Sequence, residues 1–149
     1  MSIKVTLEKT MHDAMRNKDE ITRDTIRVVL SSIKFSEIEV GKPLEENGIL
    51  SIIQKEVKIR KETISDLDGT DRYDLVEKAQ QELEVLEKFL PTQLSDDEIE
   101  KFAREVIENT AAKNPSDMGK VMGTLIPKLA GQAPPDRISQ VVRKILLQQ

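Results

Sequence analysis

Ser116-Asp117-Met118-Gly119-Lys120-Val121-Met122-Gly123-Thr124-Leu125-Ile126-Pro127-Lys128-Leu129-Ala130-Gly131 reads as an amphipathic helix with two very different sides. At the helical period Met118, Val121, Met122, Leu125, Ile126 and Leu129 fall at i, i+3, i+4, i+7, i+8 and i+11, an apolar stripe that needs burial. The other side gathers Lys120, Gly123, Thr124, Pro127 and Lys128, with Gly119 at its margin. Each interior glycine costs about 1 kcal/mol against alanine, so two of them plus a proline point to close approach of something to the backbone. Pro127 cannot donate to the carbonyl of Gly123, which predicts a kink there.

The rest of the chain is consistent with helices. Its 149 residues are enough to bury a core as one domain or two small ones. Aromatic residues make up only 3%, which favours helices packed through aliphatic side chains. Cysteine is absent, which removes disulfides, thiol catalysis and thiolate metal sites. No stretch approaches the ~20 apolar residues of a membrane span, and Met1-Ser2-Ile3-Lys4-Val5-Thr6 lacks an apolar signal core, so the expected location is cytoplasmic, with no membrane partner.

Outward from the glycine-rich stretch, six further helices are expected. Ile3, Leu7, Met11, Ala14 and Met15 mark the first, ending near Asn17. Asp19 caps a second, whose apolar positions Ile21, Ile26, Val29, Leu30, Ile33 and Ile38 run to Gly41 and the stop at Pro43. A third opens near Glu46 and carries Ile49, Leu50, Ile53, Val57 and Ile64. After the break at Leu67-Asp68-Gly69-Thr70-Asp71, a fourth carries Leu75, Val76, Ala79, Leu83, Leu86 and Leu90 up to Pro91.

Thr92-Gln93-Leu94 is the expected boundary. Ser95-Asp96-Asp97-Glu98 then has the form of a capping box, with Leu94 and Ile99 placed as a hydrophobic staple. Ile99, Phe102, Ala103, Val106 and Ile107 give the first stripe of the new unit, and Ile138, Val141, Val142, Ile145 and Leu146 its last, with Pro135 in a first turn. The expected architecture is all-α: a four-helix domain at residues 1–94 and a three-helix domain at 95–149.

Charge is distributed unevenly. Residues 115 to 149 hold 5 Lys or Arg against 2 acids, while residues 1 to 94 hold 15 against 19, so only the end of an acidic chain is basic. That balance excludes a general nucleic-acid coating protein and suits docking to a few phosphates. Lys120, Lys128 and one of Arg137, Arg143 or Lys144 would give a log–log salt slope of about −2 to −3, too shallow for strong binding without a tether or a larger partner. The same lysines also fit a plain solvated helix face.

Other chemistry finds little footing. Gly119-Lys120 fails as a phosphate loop, because Asn114 stands where a glycine is required and Val121 replaces Ser or Thr. His12 is alone in the chain and reads as a surface residue. Asp66, Asp68, Gly69 and Asp71 lack the spacing of a calcium loop. Asp96, Asp97 and Glu98 are explained by capping and the helix dipole. No catalytic residue, metal site or cofactor is expected.

Two separated motifs carry a family resemblance. Asp117-Met118-Gly119-Lys120-Val121-Met122-Gly123 with Pro127-Lys128, and upstream Phe89-Leu90-Pro91-Thr92-Gln93-Leu94-Ser95, resemble the YqeY family. Lys55-Glu56-Val57-Lys58-Ile59-Arg60-Lys61 and Arg72-Tyr73-Asp74-Leu75 are similar to its upstream pattern. The C-terminal part of that family resembles the tail domain of GatB, the tRNA-contacting subunit of the glutamine-dependent aspartyl/glutamyl-tRNA amidotransferase. One departure stands out: where the family has a basic residue and then Ala-Asp-Gly, this chain has Gln132-Ala133-Pro134-Pro135-Asp136.

Three functions follow as expectations. The first is a non-catalytic accessory module that binds tRNA or another structured RNA through Gly119, Lys120, Gly123, Thr124, Lys128, Arg143 and Lys144. The second, implied only by the resemblance, is a part in carbon–nitrogen ligation with glutamine as amido-N-donor, beside a larger tRNA-handling protein. Autonomous catalysis is not expected, since the chain has no Cys, no phosphate loop and no acid/base constellation. The third is a protein-interaction adaptor, with Ile52, Ile59 and Tyr73 off the main stripes and available to a partner.

Overall fold

A computed structural model of the protein describes residues 2–148. Seven α-helices form in the order α1 (Ile3–Arg16), α2 (Glu20–Val40), α3 (Glu46–Asp66), α4 (Tyr73–Glu87), α5 (Asp96–Thr110), α6 (Met118–Leu129) and α7 (Pro135–Leu147), with one turn of 3₁₀ helix at Pro115–Asp117. No strand occurs among the described residues. The chain divides into two compact units, Met1–Leu90 and Pro91–Gln149. Helices α1 to α4 therefore belong to the first and α5 to α7 to the second.

In the first unit, α1 and α2 form an antiparallel pair. Ser2 caps α1 by accepting from the Val5 amide, and Asp19 caps α2 by accepting from the Thr22 amide. Gly41, at φ 84°, ends α2 in the left-handed conformation that glycine adopts without penalty. Lys4 Nζ reaches Glu37 at 3.1 Å, and Glu37 also accepts from the Leu44 amide, tying the α2–α3 connection back to α1. Helices α3 and α4 make the second pair, joined by Arg60, which bridges Glu56 on its own helix and Glu82 across the hairpin. Leu7, Ile26, Val29, Ile33, Ile49, Ile53, Val57, Val85 and Leu86 form the buried core between the pairs.

The apolar pattern does not hold everywhere. Ile38, grouped above with the buried stripe of α2, is 72% exposed, because it follows Ile33 by five positions, nearly half a turn off the Ile26–Val29–Ile33 line. Met15 and Leu75 are likewise exposed at the ends of their helices. Ile52 packs against the core, whereas Ile59 and Tyr73 face outward.

The second unit starts earlier than residue 95. The Leu94 amide donates to the Gln132 carbonyl at 2.9 Å, and Gln93 Nε2 donates to the Gly131 carbonyl at 2.9 Å, so the segment after Pro91 is bound to the turn between α6 and α7. Ser95 and Glu98 complete the reciprocal capping box of α5, and Leu94 packs into the cluster that contains Ile99. That cluster, with Ala103, Val106, Val121, Leu125, Leu129, Ile138, Val142 and Leu146 at its centre, is filled from all three helices.

Candidate nucleic-acid interface

Helix α6 spans the apolar stripe, Met118 to Leu129, and not the whole stretch from Ser116 to Gly131. Asn114 Oδ1 accepts from the Ser116 amide and Asp117 accepts from the Lys113 amide, which tightens residues 115 to 117 into a 3₁₀ turn before the α-helix opens at Met118. At the other end Ala130 (φ 40°) and Gly131 (φ 82°) are both left-handed and turn the chain back toward Leu94. Val121, Leu125 and Leu129 are buried, and Met118, Met122 and Ile126 pack around them. Helical hydrogen bonding continues past Pro127 to Leu129.

Burial of that stripe fixes which side of α6 meets solvent. Gly119, Lys120, Gly123, Thr124, Pro127 and Lys128 are all exposed. A Cβ built on Gly119 or on Gly123 would meet nothing within 4 Å. Neither glycine is there to accommodate a neighbouring segment of this chain. They lie one helical turn apart on the outer surface and leave the backbone bare over that length.

The cations are less uniform than the glycines. Lys128 Nζ lies 3.3 Å from Glu105 on α5 and 5.6 Å from the centroid of the Phe102 ring, so it leans toward α5. Lys120 makes no ion pair of that kind among the described residues and stands next to the Asp117 carboxylate only as a nearby charge. The Lys113 amide holds Asp117 below its ordinary carboxylate range; burial opposes this, while the Asn114 amide and the Lys120 charge add to it. Thr124 turns its hydroxyl back to the Lys120 carbonyl.

Arg143 and Lys144 sit on α7. Lys144 lines a cleft of about 450 Å³ between α5 and α7 together with Asp96, Asp97, Glu100 and Arg137, and Arg137 Nε donates to Asp96 at 2.6 Å. Arg137, one of the three cations of the α7 end named above, is thus paired with a carboxylate. Arg143 is exposed, one residue and so about 100° round the helix from Lys144. Gly119, Lys120, Gly123, Thr124 and Lys128 therefore occupy the exposed half of α6, with Gly119 and Lys128 at its opposite edges, about 180° apart, while Lys144 belongs to a cleft rich in carboxylates.

The partners Glu105 and Phe102 escaped the sequence reading, because an ion pair across two helices leaves no trace in local spacing. Gln132 is used structurally: its backbone accepts from Leu94 and donates to Leu129. His12 is exposed on α1. Among the described residues no group of three or more His, Cys, Asp or Glu is placed to hold a metal ion. No helix among them is long and apolar enough to cross a membrane.

A family model described as Yqey-like protein matches residues 4–146. The chain is 30% identical over 131 residues to altered inheritance of mitochondria protein 41, mitochondrial, of Pyrenophora tritici-repentis, covering 85% of this chain and 71% of that protein. Proteins of the same name are 34% identical over 114 residues in Lachancea thermotolerans and 34% identical over 109 residues in Vanderwaltozyma polyspora. Those matches cover 74% and 68% of this chain but only 60% and 59% of the relatives' own length. Their names place these relatives in mitochondria, which goes against the cytoplasmic location expected from the sequence.

Proposed function

The chain belongs to the YqeY family, and we propose that it is a non-catalytic helical module whose α6 face lies against the backbone of a tRNA or another structured RNA. The observation that carries this role is the pair of open glycines. Gly119 and Gly123 give up helix stability on a surface where none of the described residues takes the space. Lys120 stands between them in sequence, near the Asp117 carboxylate but in no salt bridge among the described residues, and Thr124 adds a hydroxyl. Such a face favours contacts to phosphate and 2′-hydroxyl over reading of base edges.

Lys128 joins the interface from its position over Phe102, by exchanging Glu105 for a phosphate. With so few cations the affinity stays modest, which suits a module held in place by a larger tRNA-handling protein, as the resemblance to the GatB tail implies. Any link to amide transfer then runs through that partner and not through residues of this chain. For the compartment, the support comes from the relatives' names, which are mitochondrial.

Fluorescence anisotropy of labelled tRNA at low salt tests this role. Wild-type protein should bind saturably, with a log–log salt slope of about −2 to −3. Lys120→Glu combined with Lys128→Glu should weaken binding by about tenfold or more while leaving the helical circular dichroism unchanged, since both side chains are exposed. Absence of saturable binding, or equal affinity in the double variant, would refute the proposal.

A further inference from the structure

The loop between α3 and α4 holds a second surface, in the first unit, with the opposite charge. Leu67 through Arg72 close the hairpin, and the loop is pinned by its own hydrogen bonds: the Thr70 hydroxyl donates to the Leu67 carbonyl at 2.7 Å and accepts from the Arg72 amide at 3.3 Å. Beside it opens a cleft of about 400 Å³, walled by Ile64 and Leu67 from one side and by Tyr73 and Val76 from the other. Tyr73 is 75% exposed, so its ring extends the apolar wall into solvent instead of filling the core.

The electrostatics of this tip are one-sided. Asp66, Asp68 and Asp71 are exposed and make no salt bridge among the described residues, and Asp68 itself lines the cleft. The one arginine of the loop, Arg72, lies 3.8 Å from Asp74 and is offset by it. Lys61 is the single cation on the cleft wall. A largely apolar notch large enough for one or two side chains, with Asp68 on its wall and Asp66 and Asp71 exposed in the same hairpin tip against the single Lys61, repels a phosphate backbone and complements a cationic peptide.

We infer that the tip of the α3–α4 hairpin docks a basic segment of a partner protein. One apolar or aromatic side chain of that segment enters the cleft beside Tyr73, and flanking Lys or Arg side chains face Asp66, Asp68 and Asp71. An exposed tyrosine at the mouth of a small pocket is the residue type that dominates such contacts, because it offers large, stiff contact area at low entropic cost. This inference is independent of the RNA face on α6, which lies in the other unit.

An array of random short peptides probed with the labelled full chain provides the test, with amide NMR shifts of the chain locating the site for the best-binding peptide. Bound peptides should be enriched in Lys or Arg flanking a large apolar residue. The shifts should centre on residues 64 to 76, and Tyr73→Ala should weaken binding about tenfold. Asp66→Asn, Asp68→Asn and Asp71→Asn together should weaken it and flatten its salt dependence. Lys120→Glu with Lys128→Glu should leave it unchanged. No enrichment, enrichment of acidic peptides, affinity indifferent to Tyr73→Ala, or shifts of the tip produced by tRNA instead of peptide would each overturn the inference.

Discussion

Helix α5 opens with a complete capping box and three acids in its first turn, Asp96, Asp97 and Glu98, and its interior contains neither glycine nor proline. Helix α6, in the same unit and sharing the same core, has no side-chain cap of its own, carries no acid in its first turn, and holds Gly119 in that turn and Gly123 and Pro127 further along. Local propensity would form the first and not the second. What keeps α6 helical is tertiary: Val121, Leu125 and Leu129 are at most 1% exposed in the common core. A helix secured through its inner face leaves its outer face free of any duty to stability, and that is the face stripped of side-chain bulk.

The contrast can be broken most forcefully at the inner face. Leu125→Ala removes a fully buried side chain from the helix with least local support and should cost about 2–5 kcal/mol, read as a lowered urea midpoint. A loss well under that would mean that α6 has local sources of stability not visible in its sequence. At the start of α5, Ser95→Ala removes the hydroxyl that accepts from the Glu98 amide and should cost about 1 kcal/mol in the same assay.

The smallest effect sharpens the same point through pH. The Ser95 amide, and after it the Ser95 hydroxyl, hold Glu98 below its ordinary value of 4.5, against a raising effect of burial. A carboxyl lowered in the folded state contributes stability that is complete above its unfolded value. The contribution is lost as pH falls below about 4.5 through the folded value. A carboxyl-carbon NMR titration should therefore find Glu98 titrating low in the wild type. It should move only part of the way back in Ser95→Ala, because the backbone donor remains.

Much of this arrangement was legible in the sequence, for a physical reason. Capping boxes, glycine stops and helical periods are local, so Ser95-Asp96-Asp97-Glu98, the Gly41 terminus and the apolar stripe of α6 can be read from spacing alone. Features set between helices cannot. The pairing of Lys128 with Glu105 and of Arg137 with Asp96 changes which cations are available, and both partners lie on another helix. The position of residues 91 to 94 in the second unit depends on hydrogen bonds to Gly131 and Gln132 some 38 residues away. Ile38 shows the reverse: it is hydrophobic but out of phase with the buried line of α2, and its exposure follows the phase. Of the candidate interface, the α6 residues were legible because one helix holds them all; Arg143 and Lys144 belong to a surface that only packing defines.

Replacing Gly119 and Gly123 by alanine, with urea denaturation and tRNA anisotropy performed on the same protein preparation, tests the bare face of α6 most directly. Nothing among the described residues opposes the added methyl groups, so the two substitutions should together stabilise the protein by about 0.5–1 kcal/mol, most of it from Gly123 in the helix interior. If RNA lies against the exposed backbone, the same methyls hold it away, and the stabilised double variant should bind tRNA about tenfold or more weakly than wild type. A double variant that is more stable and binds tRNA as tightly as before would contradict a role for the glycines in RNA contact.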